Sequence, residues 1–122
     1  MAANKLIRNY IIKANELKKK QFSRNLKIID CRWYLGNSDK GIKEYRKSHI
    51  NGALFFDLEK ISNRSVDLPH MLPTLRKFII FVTKSGIQIN DQIIIYDQHG
   101  FFCSSRVWFT FKFFGFKNIK IL

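Results

Sequence analysis

The chain has 122 residues, 46% of them hydrophobic and 15% aromatic, which suits one globular domain with its own core. Lys and Arg number 22 against 9 Asp and Glu, and the net charge of +13 on its own suggests an anionic partner. The cations are spread along the sequence, however, so we attribute the positive charge to the Lys-, Ile-, Asn- and Phe-rich composition that an AT-rich genome imposes. We therefore expect no nucleic-acid partner. The two cysteines form neither a CxxC pair nor a Cys/His cluster. This argues against a zinc site and a disulfide framework, and we expect neither a metal nor a cofactor.

The first segment, residues 1–14, is predicted to be an N-terminal extension. It lacks the continuous apolar stretch and the small-residue cleavage site of a secretory signal. No stretch approaches the roughly 20 apolar residues that span a bilayer. We therefore expect a soluble, cytoplasmic protein without a membrane partner, and a reducing compartment fits the cysteine usage. A short charged helix follows, and its Leu17 is expected to fold back onto the domain.

Strands and helices then alternate. LKIID (26–30) is predicted as a buried strand, a short helix ends near His49, and ALFFDL (53–58) suits a second short strand. Thr74 is the expected N-cap of a helix that stops at Gly86.

The second half of the chain repeats the pattern. DQIIIYD (91–97) is a nearly unbroken apolar run, typical of a central parallel strand covered on both faces. A helix with a serine N-cap follows, and KNIKIL (117–122) reads as the last strand. This alternation predicts an open, parallel α/β sheet flanked by helices. Because one more helix would normally cover the last strand, we expect the chain to be truncated at its C-terminal end.

The loops after Ile29, Asp57 and Tyr96 are expected at one edge of the sheet, where ligands of open α/β folds bind. The third of them, DQHGFFCSSR (97–106), runs from a strand into a helix N-terminus, an arrangement that favours an anion or a thiolate. Asp97 stands where a nucleophile would be expected. Its carboxylate cannot accept a sulfur atom and would repel an anionic substrate.

Two further residues are candidates for chemistry. Cys103 lies near a helix N-terminus with Arg106 one turn on, which are features that lower a thiol pKa. The alternative, which we favour, is a small buried residue at the start of the helix. His49 has Glu44 and Asp39 upstream, a setting that suits acid/base work and equally a structural histidine at a helix end.

Four aromatic residues lie on loops at the same end of the predicted sheet: Trp33, Tyr34, Phe101 and Phe102. If exposed, they form an apolar patch for another domain or the wall of a pocket. The alternative is a self-contained aromatic cluster that closes over the end of the sheet. The sequence leaves both interpretations open.

Five motifs occur in a fixed order: IIDCRWYL, HINGALFFDL, LPHMLPT, IIIYD and SSRVWFTFKFFGF. In order and spacing they resemble the N-terminal half of the tandem-domain rhodanese family, the thiosulfate and 3-mercaptopyruvate sulfurtransferases. The likeness extends from about Leu17 to Leu122. Asn51 is a departure, because the family usually has proline there. The resemblance implies that residues 1–122 form a single rhodanese-like domain.

The resemblance also implies roles for individual residues. The first domain of the family has no nucleophile, and Asp97 is similar to the aspartate that stands where the second domain has its catalytic cysteine. This domain would supply one wall of the interdomain cleft, with Trp33, Phe101 and Phe102 facing the catalytic loop. His49, helped by an upstream carboxylate placed at Asp39, would orient the reacting groups.

We therefore predict the non-catalytic half of an enzyme that moves a sulfane sulfur from thiosulfate or 3-mercaptopyruvate, inactive on its own. Its partners would be a catalytic rhodanese domain, on another chain or missing, and a small anionic sulfur donor. The alternatives are an interaction module without turnover, a gene remnant, a residual enzyme that uses Cys103, and a basic nucleic-acid binder.

Overall fold

The structure, a computed structural model, describes residues 2–63, 72–98 and 103–122. In chain order its elements are α1 (Ala2–Tyr10), α2 (Ala14–Lys20), β1 (Leu26–Asp30), α3 (Lys40–Lys47), β2 (Leu54–Phe55), α4 (Leu58–Ile61), α5 (Leu75–Lys84), β3 (Gln92–Tyr96), α6 (Ser104–Phe113) and β4 (Ile119–Ile121). The four predicted strands are therefore confirmed, as are the helices predicted before and between them.

The four strands form one sheet in the order β2-β1-β3-β4, and every neighbouring pair is parallel. β1 and β3 lie at the centre and pair over five residues, from Leu26 opposite Gln92 to Asp30 opposite Tyr96. Three consecutive isoleucines of β3, residues 93–95, have no exposed surface. A strand buried on both faces needs such an apolar run, so the predicted doubly covered α/β sheet is confirmed.

Each face of the sheet has its own core. On one face α5, α6 and the segment after α6 bring aromatic rings together, with the Phe78 and Phe111 centroids 5.2 Å apart and those of Phe111 and Phe116 5.1 Å apart. On the other face Ile12 and Leu17 pack among buried side chains of β1 and β3. Leu17 is 5% exposed, which confirms that its helix folds back onto the domain.

The predicted N-terminal extension contains a helix that sequence reasoning did not identify, α1. After it the chain runs beside β4, where Ile11 forms a parallel bridge with Ile121 and the Ile12 N–H donates to the Ile121 carbonyl at 2.9 Å. The extension therefore covers the edge of the sheet. In the described ranges, no helix is both long enough and apolar enough to cross a membrane.

The two predicted helix caps had different outcomes. Thr74 is the N-cap of α5, and its hydroxyl accepts the Lys77 N–H at 3.3 Å, as predicted. The predicted serine N-cap of α6 is wrong, because Cys103 holds that position and its side chain makes no capping hydrogen bond. The acceptor for the first amides of α6 comes from outside the helix, as described below.

Candidate functional site

The carboxyl ends of the three strands β1, β2 and β3 meet at one edge of the sheet. Asp30, the last residue of β1, is in register with Phe55 of β2 on one side and with Tyr96 of β3 on the other. The chain segments that follow these residues therefore emerge side by side, as the sequence predicted. This is the edge at which open α/β folds bind ligands.

Asp97, directly after β3, binds the start of α6. Its Oδ2 accepts the Cys103 N–H at 2.5 Å and the Ser104 N–H at 2.7 Å. Cys103 is 3% exposed and Ser104 is fully buried, so these amides have little access to water. Amide groups at a helix N-terminus form an anion site, and a carboxylate of the chain itself occupies it here. Asp97 thus serves as the cap that the sequence assigned to a serine.

Both thiols near this edge are buried, and the pKa of each is raised. Burial, together with the charge of Asp97, raises the pKa of Cys103 to about 12. Burial also raises the pKa of Cys31, which has no exposed surface. The favoured interpretation of Cys103, a small buried residue at the start of the helix, is confirmed. Its pKa moves in the direction opposite to that of an activated thiol, since Asp97 takes the amides and adds a negative charge. The thiolate is the reactive form, and both residues hold their protons near neutral pH.

The end of β1 is held by a buried ion pair. Asp30 is fully buried and accepts hydrogen bonds from Arg32 Nη2 at 2.7 Å and from the Tyr96 hydroxyl at 2.9 Å. Arg32 Nη2 also donates to the Ser48 carbonyl at 2.7 Å, and its Nη1 lies 3.6 Å from Glu44. The hydrogen bond to Asp30 raises the pKa of Arg32. Arg32 thereby ties the sheet edge to the C-terminal end of α3.

His49 and Asp39, the predicted supporting pair, have separate surroundings. His49 is exposed, its Nδ1 lies 2.7 Å from the Tyr45 carbonyl, and the two rings stack at 4.0 Å. Asp39 is the exposed N-cap residue of α3, and its side chain makes no capping hydrogen bond to the described backbone. Glu44, the other upstream carboxylate, accepts the Tyr34 hydroxyl at 2.7 Å. These contacts favour a structural role for His49, and its role in catalysis stays a prediction.

Trp33 joins the loops after β1 and β3. Its indole N–H donates to Glu59 at 2.8 Å, its backbone N–H donates to Gln98 Oε1 at 3.3 Å, and Gln98 Nε2 donates back to its carbonyl. The ring is partly buried against the core, which for this residue favours the self-contained cluster over an exposed patch. Phe101 and Phe102, the other predicted cleft residues, lie outside the described residues.

Known proteins share the sequence pattern and the fold of this chain. Residues 13–122 match the model of the rhodanese-like domain family. The chain belongs to this family. The rhodanese-like domain is 42% identical over 99 residues to a mitochondrial thiosulfate/3-mercaptopyruvate sulfurtransferase of Arabidopsis thaliana, covering 80% of the chain and 26% of that relative. It is 32% identical to the 3-mercaptopyruvate sulfurtransferase of Rattus norvegicus, covering all of the chain and 43% of the relative.

Solved structures give the same family. The crystal structure of SseA, a 3-mercaptopyruvate sulfotransferase from Escherichia coli, superposes with a TM-score of 0.86 at 32% identity and covers 93% of the chain and 44% of SseA. The sulfur transferase subunit of yeast mitochondrial complex I superposes with a TM-score of 0.85 at 38% identity, covering 93% of the chain and 38% of that subunit. The rhodanese-like domain thus spans less than half the length of these relatives.

Sequence reasoning missed the residues that hold the site together: Asp30, Arg32, Glu59 and Gln98. A usable signal existed for the first two, since a carboxylate at the end of an apolar strand needs a partner and an arginine follows two positions later. No local pattern marks Gln98 or Glu59. Among the described side chains, no three His, Cys, Asp or Glu residues are placed to hold a metal ion.

Proposed function

We propose that this rhodanese-like domain is the non-catalytic half of a thiosulfate/3-mercaptopyruvate sulfurtransferase. The observation that carries the proposal is the position of Asp97, whose carboxylate takes the Cys103 and Ser104 amides. In the resemblance described above, the catalytic domain of the family has its cysteine at this position. A persulfide or a bound anion would need the same amides.

The chemistry of sulfur transfer supports an inactive role for this half. A thiolate must attack the outer sulfur of thiosulfate, so that the S–S bond breaks, sulfite leaves and a persulfide remains. A carboxylate cannot form that bond. Cys103, with its pKa raised to about 12, holds too little thiolate at neutral pH to take its place. The catalytic cysteine would therefore come from a second rhodanese domain.

The contribution of this half would be one wall of the cleft that receives the sulfur donor. Trp33, Tyr34 and Leu35 line a cavity of about 350 Å³ at the carboxyl edge, together with Glu59. Trp33 is held from two sides by Glu59 and Gln98, so its position is fixed before any partner arrives. Leu35 is 84% exposed and offers an apolar side chain to a second domain. His49 and Asp39 would orient reacting groups from the same edge.

A chimeric enzyme tests the proposal. This chain replaces the matching segment of Escherichia coli 3-mercaptopyruvate sulfurtransferase, and turnover of 3-mercaptopyruvate and thiosulfate is measured for the chimera and for the chain alone. We expect turnover by the chimera and none by the chain. Leu35→Asp in the chimera should reduce turnover, whereas Phe22→Asp, on an equally exposed residue before β1, should not.

Two results would reject the proposal. One is turnover by the isolated chain. The other is a chimera that unfolds cooperatively, as shown by its thermal transition, yet lacks turnover even though the parent enzyme is active under the same conditions. The second result favours the alternative of an interaction module.

A further inference from the structure

A second concave site lies between α1, α2 and β4, and it shares no lining residue with the Asp97 loop. Its volume is about 290 Å³. The lining residues are Arg8, Ile12, Glu16, Lys19, Lys20 and Lys120. They come from the N-terminal segment and from β4, two parts of the sequence that the fold brings together.

The charges of this cavity are unbalanced. Four cations face one carboxylate, and Glu16 is already engaged, because its Oε2 accepts the Lys13 N–H at 3.0 Å at the start of α2. That hydrogen bond, together with the charges of Lys13, Lys120 and Arg8, lowers the pKa of Glu16. No ion pair links a cation of the cavity to any residue that the structure describes.

The shape of the cavity strengthens its positive field. Ile12 is 3% exposed and gives the cavity an apolar floor, beside which Lys120 projects from β4. A concave wall of one sign of charge over a low-dielectric floor concentrates the field and raises the local concentration of counter-ions. Lysine binds phosphate as a point charge, and arginine adds a two-pronged hydrogen bond. The excess of three positive charges therefore suits a phosphate group.

We propose that this cavity binds a small organic phosphate. The volume of about 290 Å³ equals about ten water molecules at roughly 30 Å³ each, which is more room than a bare phosphate ion fills. The remaining space, bounded by Ile12 and by the aliphatic stems of the lysines, accepts the uncharged body of the ligand. A bound phosphate would also hold α1 and α2 against β4, because its contacts come from all three elements.

Calorimetric titration of the chain with adenosine monophosphate, ribose 5-phosphate and inorganic phosphate tests this site. We expect saturable binding of an organic phosphate at one site, tighter than that of inorganic phosphate. The double variant Lys20→Gln/Lys120→Gln should weaken this binding by about tenfold or more, since it removes two charge-assisted contacts. The matched control is Lys43→Gln/Lys47→Gln, which removes the same charge from exposed positions of α3 and should change the affinity by less than about twofold.

Several outcomes would overturn the proposal. They are the absence of saturable binding by both organic phosphates, inorganic phosphate binding as tightly as they do, and an equal loss of affinity in both double variants. An oligouridylate is the probe for nucleic acid. If it binds more tightly than the organic phosphates, with a steep salt dependence and an equal loss of affinity in both double variants, the positive charge serves nucleic-acid binding instead. The thermal midpoints of the variants must match that of the parent chain. We expect them to match because the replaced lysines on α2 and α3 are exposed.

Discussion

Replacing Asp97 by alanine removes the acceptor of two amide groups at the start of α6. Both amides belong to residues that are at most 3% exposed, Cys103 and Ser104, so water cannot readily replace the carboxylate. An unsatisfied buried donor costs about 1–3 kcal/mol, and loss of an aspartate cap costs about 0.5–2 kcal/mol. These contributions overlap, and we expect Asp97→Ala to lower the free energy of unfolding by about 2–4 kcal/mol.

The isosteric variant separates the charge of Asp97 from its role as an acceptor. Asp97→Asn retains one oxygen that can accept an amide N–H but loses the charge that interacts with the helix dipole. Its expected cost is about 1 kcal/mol. Asp39→Ala is the control, because Asp39 is an exposed N-cap residue without a side-chain capping bond. We expect it to cost less than about 0.5 kcal/mol.

Urea unfolding, followed by the fluorescence of Trp33 and Trp108, measures these differences. Trp33 reports on the loop after β1 and Trp108 on α6 itself, so coincident transitions from variants with a single tryptophan would verify two-state behaviour. If Asp97→Ala is no less stable than Asp39→Ala, the carboxylate is not the cap of α6. The interpretation that the Asp97 carboxylate fills the anion site at the start of α6 would then be refuted.

Three further predictions concern the same edge of the sheet. Arg32→Met leaves Asp30 buried without its cation, and urea unfolding should show a loss of about 3–5 kcal/mol. In Gly41→Ala the new Cβ would lie 2.0 Å from the Arg32 carbonyl oxygen, and the same assay should show a loss of about 1–3 kcal/mol or more. The thiols of Cys31 and Cys103 should react slowly with a disulfide reagent at pH 8. Because the native Cys103 thiol keeps its proton above the ordinary pKa of 9.0, its contribution to stability should fall as the pH rises from about 9 to about 12.

Each of these three has its own control. Arg32→Lys keeps the charge but not the two-pronged geometry and should be intermediate, whereas a loss below about 1 kcal/mol in Arg32→Met would contradict the importance of the pair. Gly36→Ala is the comparison for Gly41→Ala, since it tests positive φ at a site with open space around the Cβ. The thiols should react quickly once urea unfolds the chain. Rapid reaction of one thiol in the native state at pH 8 would contradict the raised pKa.

The elements with strong local patterns were the predictable ones. The isoleucine run of β3 is typical of a strand buried on both faces, and Thr74 bonds an amide three residues on, within the range that cap rules describe. The start of α6 was not predictable in this way. Its acceptor, Asp97, lies six residues before Cys103, so a rule that examines the residues next to the helix selects a serine instead.

The arrangement of charge was predictable only in part. The cations are spread along the sequence, as the composition indicated, but Arg8, Lys19, Lys20 and Lys120 meet because β4 lies beside the N-terminal segment. The hydrogen bond from the Tyr96 hydroxyl to Asp30 depends likewise on the register of β1 and β3, which places the two residues side by side. The cleft roles of Trp33 and His49 and a cytoplasmic location stay predictions.

We propose that the chain does not itself carry the transferred sulfur, with Asp97 in the place where the catalytic domain of the family would have its cysteine. Mass spectrometry of the intact chain after incubation with thiosulfate or 3-mercaptopyruvate tests this directly. We expect the mass of this chain to stay unchanged. A sulfurtransferase that has its catalytic cysteine is the positive control and should gain one sulfur atom under the same conditions. A gain of one sulfur atom by this chain, lost in Cys103→Ser, would contradict the account.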